Sequence, residues 1–120
     1  YLLRDDDLKK LTIDHTMAQE MIDRQGESTR DVIPLEYSHT LTRCVGQGEN
    51  LRVDSKSITI KPGDRILLCT DGLDKVISSD AIKKELARKQ SPEDACHQLT
   101  KIANDNEGPD NITVIVIHTL

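Results

Sequence analysis

Lys61-Pro62-Gly63-Asp64-Arg65-Ile66-Leu67-Leu68-Cys69-Thr70-Asp71-Gly72 is the stretch whose reading decides the fold. Its first four residues place proline second and glycine third, the pattern of a type II turn. Residues 65–70 follow as a nearly continuous apolar strand, and Asp71 stands at the C-terminal end of that strand. Upstream, Leu51 and Val53 alternate with Arg52 and Asp54, and Ile58 and Ile60 with Thr59 and Lys61, so both stretches read as strand. Downstream, Ser78 or Ser79 caps a helix over 80–89 with Ile82 and Leu86 inward. Ser91 caps another, with Pro92 at its first position, Glu93 and Asp94 in the first turn, and Ala95, Leu99, Ile102 and Ala103 as its apolar stripe. Gly108-Pro109 breaks the chain before a last strand over 112–117. Ile112, Val114 and Val116 form one side of that strand, Ile115 and Ile117 the other. A strand apolar on both sides belongs inside a layered architecture.

Toward the N-terminus, residues 1–4 and 8–13 form a hairpin around Asp5-Asp6-Asp7, which reads as a solvated turn. Asp14 caps a helix over 16–24 that Gly26 closes, with Met17, Met21, Ala18 and Ile22 as its stripe. Residues 25–40 are polar, contain Pro34 and lack periodicity, which makes them a long surface loop with one turn of helix.

Composition excludes several classes. The 120 residues suffice for one domain or part of one. Leu, Ile and Val supply about a quarter of the chain, above the ~20% below which disorder sets in. The net charge of −5 argues against nucleic-acid binding. With no Trp or Phe, and only Tyr1 and Tyr37, a base-stacking platform is missing. No apolar run is long enough to span a membrane. Cys44, Cys69 and Cys96 are an odd set without CxxC spacing; they read as small buried hydrophobes in a reducing, cytoplasmic setting. The chain starts at Tyr1 already in strand, as a piece of a longer polypeptide does.

Asp71 follows one strand and Asp110 precedes another. If the strands are antiparallel neighbours, both acids share one end of the sheet. Two such carboxylates repel unless a cation lies between them, and oxygen-only ligands favour Mg²⁺ or Mn²⁺. By spacing alone, the bland reading stands beside this one. Asp71-Gly72 is also a common turn dipeptide, and Asp110-Asn111 a common local hydrogen-bonding pair.

Four motifs in order carry a resemblance: Leu11-Thr12-Ile13-Asp14-His15-Thr16; Leu41-Thr42-Arg43-Cys44-Val45-Gly46; residues 61–73 through Thr70-Asp71-Gly72-Leu73; and Asp110-Asn111-Ile112-Thr113-Val114. Together they resemble the C-terminal half of a metal-dependent protein serine/threonine phosphatase of type 2C (PPM), bacterial style, over essentially the whole chain. The resemblance implies an α+β fold, part of a four-layer α/β/β/α sandwich with antiparallel sheets. It implies two or three Mn²⁺ or Mg²⁺ ions in the complete domain, with Asp71 and Asp110 as metal ligands and Gly72 and Asn111 as neighbours of the metal site. The implied reaction is hydrolysis of phosphoserine or phosphothreonine in proteins by metal-activated water, with no catalytic side chain beyond the metal ligands. The loop over about 25–40 corresponds to the family's flap, where Arg24, Ser28, Thr29 and Arg30 are candidate substrate contacts. Asp14-His15-Thr16 reads as cap and packing, Arg43 as partner of a local carboxylate, and Asp64 and Asp74 as structural. Implied partners are phosphoproteins made by a Ser/Thr kinase, with neither nucleic acid nor membrane, and the missing N-terminal half.

The chain departs from the family in one respect. The Asp-Gly-x-Gly-Gly acids of the N-terminal half are absent, since Asp71-Gly72 is the only Asp-Gly. The 120 residues alone are therefore expected to be inactive. The alternative readings are a non-catalytic phosphatase-like module and an isolated inactive half.

Overall fold

A computed structural model describes residues 1–48, 50–108 and 110–120. Pro109 of the Gly108-Pro109 break lies outside the described residues. The chain divides into two compact units, Tyr1–Leu11 with Thr59–Leu120, and Thr12–Ile58.

The first unit is a four-stranded antiparallel sheet with helices on one face. Strands β1 (Leu2–Arg4), β2 (Asp7–Lys9), β3 (Arg65–Cys69) and β4 (Val114–His118) lie in the order β2-β1-β3-β4. The β1–β2 hairpin is tighter than expected, and its second strand is Asp7–Lys9. Asp5 and Asp6 sit at φ 49° and 63°, the left-handed pair that a two-residue type I′ loop requires. The type II turn forms as read, with Gly63 at φ 88° and Asp64 N–H donating to Lys61 O at 3.1 Å.

Register sorts the sheet into two faces. Leu67 lies opposite Val116, and Leu68 opposite Ile115. Leu3, Leu67 and Val116 join Leu73, Ile77, Ile82, Leu86, Ala95, Leu99 and Ala103 in one core. The helices that cover this face are α2 (Asp71–Asp74), α3 (Ser79–Ala87) and α4 (Pro92–Asp105). Ser78 accepts from Ala81 N–H and Ser91 from Asp94 N–H, as N-caps do. Arg65 closes the far end of α3 by donating to the carbonyls of Leu86 and Arg88.

The opposite face is bare. Leu68 is 51%, Ile115 53% and Ile117 44% exposed. This corrects the expectation that the last strand is buried on both sides. Its composition suits two covers, and the described residues supply one. The second sheet of the expected sandwich is not among the described elements.

Residues 51–61 form no strand, against expectation, and Val53 and Ile60 are exposed. Alternation marks which side chains need cover, but a strand also needs a neighbouring strand for its backbone groups, and none pairs with these residues among the described ones.

The second unit holds α1 (Met17–Gln25) and two short 3₁₀ stretches, Glu27–Val32 and Leu35–Ser38, with no buried residue in either stretch. Thr16, not Asp14, is the N-cap of α1, because its hydroxyl accepts from Gln19 N–H at 3.2 Å. Ala18 and Ile22 are the buried pair of the stripe, while Met17 is exposed. Gly26 ends the helix at φ 96°. Among the described residues no helix is long and apolar enough to cross a membrane. The cysteines are free; against the expectation that all three are buried, Cys44 is exposed, and Cys69 and Cys96 are half-buried.

Candidate functional site

Strand β3 delivers Asp71 as the first residue of α2. The loop before β4 delivers Asp110. Because β3 and β4 run antiparallel with Cys69 opposite Val114, both acids stand at one end of the sheet.

Thr70 ties the two loops together. Its N–H donates to Thr113 O at 3.1 Å, and its Oγ1 donates to Asn111 O at 3.2 Å. The same Oγ1 accepts from Thr113 N–H at 3.0 Å. Gly72 allows the approach: a Cβ there would lie 2.3 Å from Asn111 O, a backbone atom that cannot swing away. The expected neighbours Gly72 and Asn111 are thus in contact, as parts of the scaffold. Leu73, fully buried, roots α2 in the core.

Asp71 Oδ2 accepts from Lys75 Nζ at 2.9 Å, one helical turn on. Asp110 Oδ1 accepts from Asn111 N–H at 2.7 Å. Among the described residues, no group of three or more His, Cys, Asp or Glu side chains converges. The donors suit a hard divalent cation in kind. In number, two carboxylates fall short of a complete ligand shell.

The residues expected to form a flap are engaged locally. Arg24 reaches Glu20 at 3.4 Å, Arg30 pairs with Glu27, and Thr29 Oγ1 donates to Gly26 O at 2.8 Å. Ser28 is exposed.

Asp64 is structural, as expected. It is 1% exposed and takes both Arg4 Nε at 2.7 Å and Arg4 Nη2 at 2.6 Å. The Arg4 hydrogen bonds hold its carboxyl down at about 2. Asp74 accepts from the Tyr1 hydroxyl at 2.9 Å. Burial, then that hydrogen bond, raises the Tyr1 phenol.

One cluster was only half legible in the sequence. Arg43 meets its local carboxylate, Asp54, at 3.0 Å, and His15 Nε2 lies 2.7 Å from the same group. The His15 hydrogen bond, then that of Arg43, lowers the Asp54 carboxyl. A sequence separation of 39 between His15 and Asp54 hides the pairing from any local pattern.

Comparison with known proteins places this arrangement in a family. The family model described as Stage II sporulation protein E (SpoIIE) matches residues 21–120. The "Serine/threonine phosphatase stp" of Listeria welshimeri is 31% identical over 118 residues, which are 98% of this chain and 46% of that protein. The structure of the PPM Ser-Thr phosphatase MsPP from Mycobacterium smegmatis, in complex with cacodylate, superposes with a TM-score of 0.85 at 32% identity. It is matched over 100% of this chain and 51% of that one. The catalytic domain of the serine threonine protein phosphatase PstP, in complex with 2 manganese ions, gives a TM-score of 0.75 at 33% identity over 97% of this chain and 47% of that one. The chain spans about half the length of these relatives. It belongs to the SpoIIE family of type 2C (PPM) phosphatase domains.

Proposed function

We propose that this chain is the C-terminal half of a single phosphatase domain, which removes phosphate from phosphoserine or phosphothreonine in proteins. Asp71 and Asp110 are metal ligands supplied by this half. The observation that carries the reading is their placement at one sheet end on loops clamped by Thr70. The manganese-bound PstP domain supports Mn²⁺ or Mg²⁺ as the ions. When bound, the ions supply a nucleophilic water of lowered pKa and neutralise phosphoryl charge. This chain's residues set where the two carboxylates stand: Thr70 and Gly72 fix the backbone, and Lys75 balances the Asp71 charge. The remaining ligands come from the other half, which also covers the bare face of Leu68, Ile115 and Ile117. Partners are phosphoproteins made by a Ser/Thr kinase. The loop over 25–40, with Arg24, Ser28, Thr29 and Arg30, serves as a flap that touches them.

The test is Mn²⁺-dependent phosphate release from a phosphothreonine peptide by the longest natural polypeptide containing this chain, beside the same protein carrying Asp71→Asn. Activity that requires Mn²⁺ and falls by orders of magnitude in the folded variant is the expected result. Near-normal turnover of Asp71→Asn would remove Asp71 from the site. No activity in either protein would favour a non-catalytic phosphatase-like module.

A further inference from the structure

Asp71 and Lys75 form an ion pair inside one tight turn. Lys75 N–H donates to Asp71 O at 3.1 Å, which sets the two residues on one side of α2. Lys75 Nζ then reaches Asp71 Oδ2 at 2.9 Å. The order, acid first and base four residues on, is the favourable one in a helical turn. Asp74 in the same turn is engaged elsewhere, by the Tyr1 hydroxyl at 2.9 Å and by Lys10 Nζ at 3.1 Å.

The pair has a consequence for any cation that Asp71 holds. Affinity for a hard divalent ion depends on the charge its ligands bring. Asp71 and Asp110 bring two negative charges, and Lys75 returns a positive one to the same carboxylate. An ammonium and a divalent ion on one carboxylate also repel each other across it. Lys75 is not what aims Asp71. The backbone does that, through the hydrogen bonds of Thr70 and the close approach of Gly72 to Asn111. The lysine ends a flexible four-carbon stem. Its side chain is 28% exposed and that of Asp71 53%, so water is at hand to receive Nζ when it leaves.

We propose that Lys75 is a built-in counter-cation, which competes with the metal ion for Asp71 and lowers the ion affinity of the site. Occupancy of the Asp71 position then follows the free Mn²⁺ or Mg²⁺ concentration over a higher range than two uncompensated carboxylates would set. The inference rests on the reading of Asp71 as a metal ligand and adds a limit on affinity to it. Its sign separates it from the opposite role. Removing a residue that orients a ligand costs a metal site affinity, whereas removing a competitor restores it.

The experiment is calorimetric titration of Mn²⁺ into the full-length protein, stripped of metal and held at fixed pH and ionic strength. The unaltered protein is compared with Lys75→Gln, Lys75→Arg, Asp71→Asn and the double variant Asp71→Asn with Lys75→Gln. The binding step weakened in Asp71→Asn identifies the Asp71 position. At that step Lys75→Gln, which keeps the length and loses the charge, should bind Mn²⁺ roughly three- to tenfold more tightly. Lys75→Arg, which keeps the charge, should bind as the unaltered protein does. The gain in Lys75→Gln should shrink as salt is raised. It should also be smaller in the Asp71→Asn background, because the two residues act as a pair. Equal or weaker Mn²⁺ binding in Lys75→Gln, with Asp71→Asn still weakened, overturns the counter-cation and leaves the ligand reading standing. A gain of full size in the Asp71→Asn background overturns the pair as its cause. Unchanged binding in Asp71→Asn removes the ligand reading, and the inference falls with it.

Discussion

Gly72 and Thr70 bring two distant loops within hydrogen-bonding distance, and each does so with very few atoms. Adding one methyl group at Gly72→Ala drives a carbon into the Asn111 carbonyl. The expected cost is about 1–3 kcal/mol of stability, with a larger loss of turnover, read from denaturant midpoints and phosphate release in the full-length protein. Two other residues give the molecule an acid response. Burial, then Arg65, lowers the His118 imidazole below its ordinary 6.5. The native state thus resists a proton that the unfolded chain accepts, and stability falls as pH drops through 6.5. Asp64 acts lower on the scale. Its carboxyl is held at about 2 instead of 3.8, so its contribution is full above 3.8 and lost as pH falls toward 2. Unfolding midpoints across the acid range, compared with His118→Gln and Asp64→Asn, should show each variant flattening its own part of the decline.

At the scale of elements, α4 anchors the sheet through Leu99 and Ala103, both wholly buried. Leu99→Ala should cost about 2–5 kcal/mol, and Ser91→Ala about 1 kcal/mol through loss of its cap, both measurable by thermal melts of the full-length protein. The elements most legible in the sequence were those with local signals. Ser78 and Ser91 announce helix starts, Gly26 an end, and Pro62-Gly63 a turn. Thr16 was misread because Asp14 is an equally good cap by type, and only the backbone decides which residue is last outside the helix. The short helix α2 carries no periodicity to read. Residues 51–61 show the opposite failure, a clear alternation with no strand. The pattern records where apolar cover is wanted, but not whether a partner is within reach. Asp71 and Asp110 were legible as strand-end acids. Lys75 at Asp71 was not, because the short α2 that sets the two one turn apart has no periodicity to read, and the triple contact of Thr70 was not, because it depends on register between strands far apart in the chain.

For the whole molecule, the exposed face of Leu68, Ile115 and Ile117 is the dominant feature. A contiguous apolar sheet surface invites association. The 120-residue chain expressed alone should self-associate in sedimentation, and Ile115→Asn with Ile117→Asn should reduce that association. In a polypeptide of the relatives' length the same pair should lower the melting temperature if the other half lies there. Unchanged stability would leave the face exposed in the complete protein too.

The contacts of Thr70 with Asn111 and Thr113 span 41 and 43 residues of chain. Contacts so distant in sequence are expected to close after the local helices between them have formed. The two acids are then expected to meet late in folding. Slow exchange of the Thr113 amide should be one of the last protections to appear in a refolding experiment. A chain that has collapsed but not yet closed this loop would have its helices and no site.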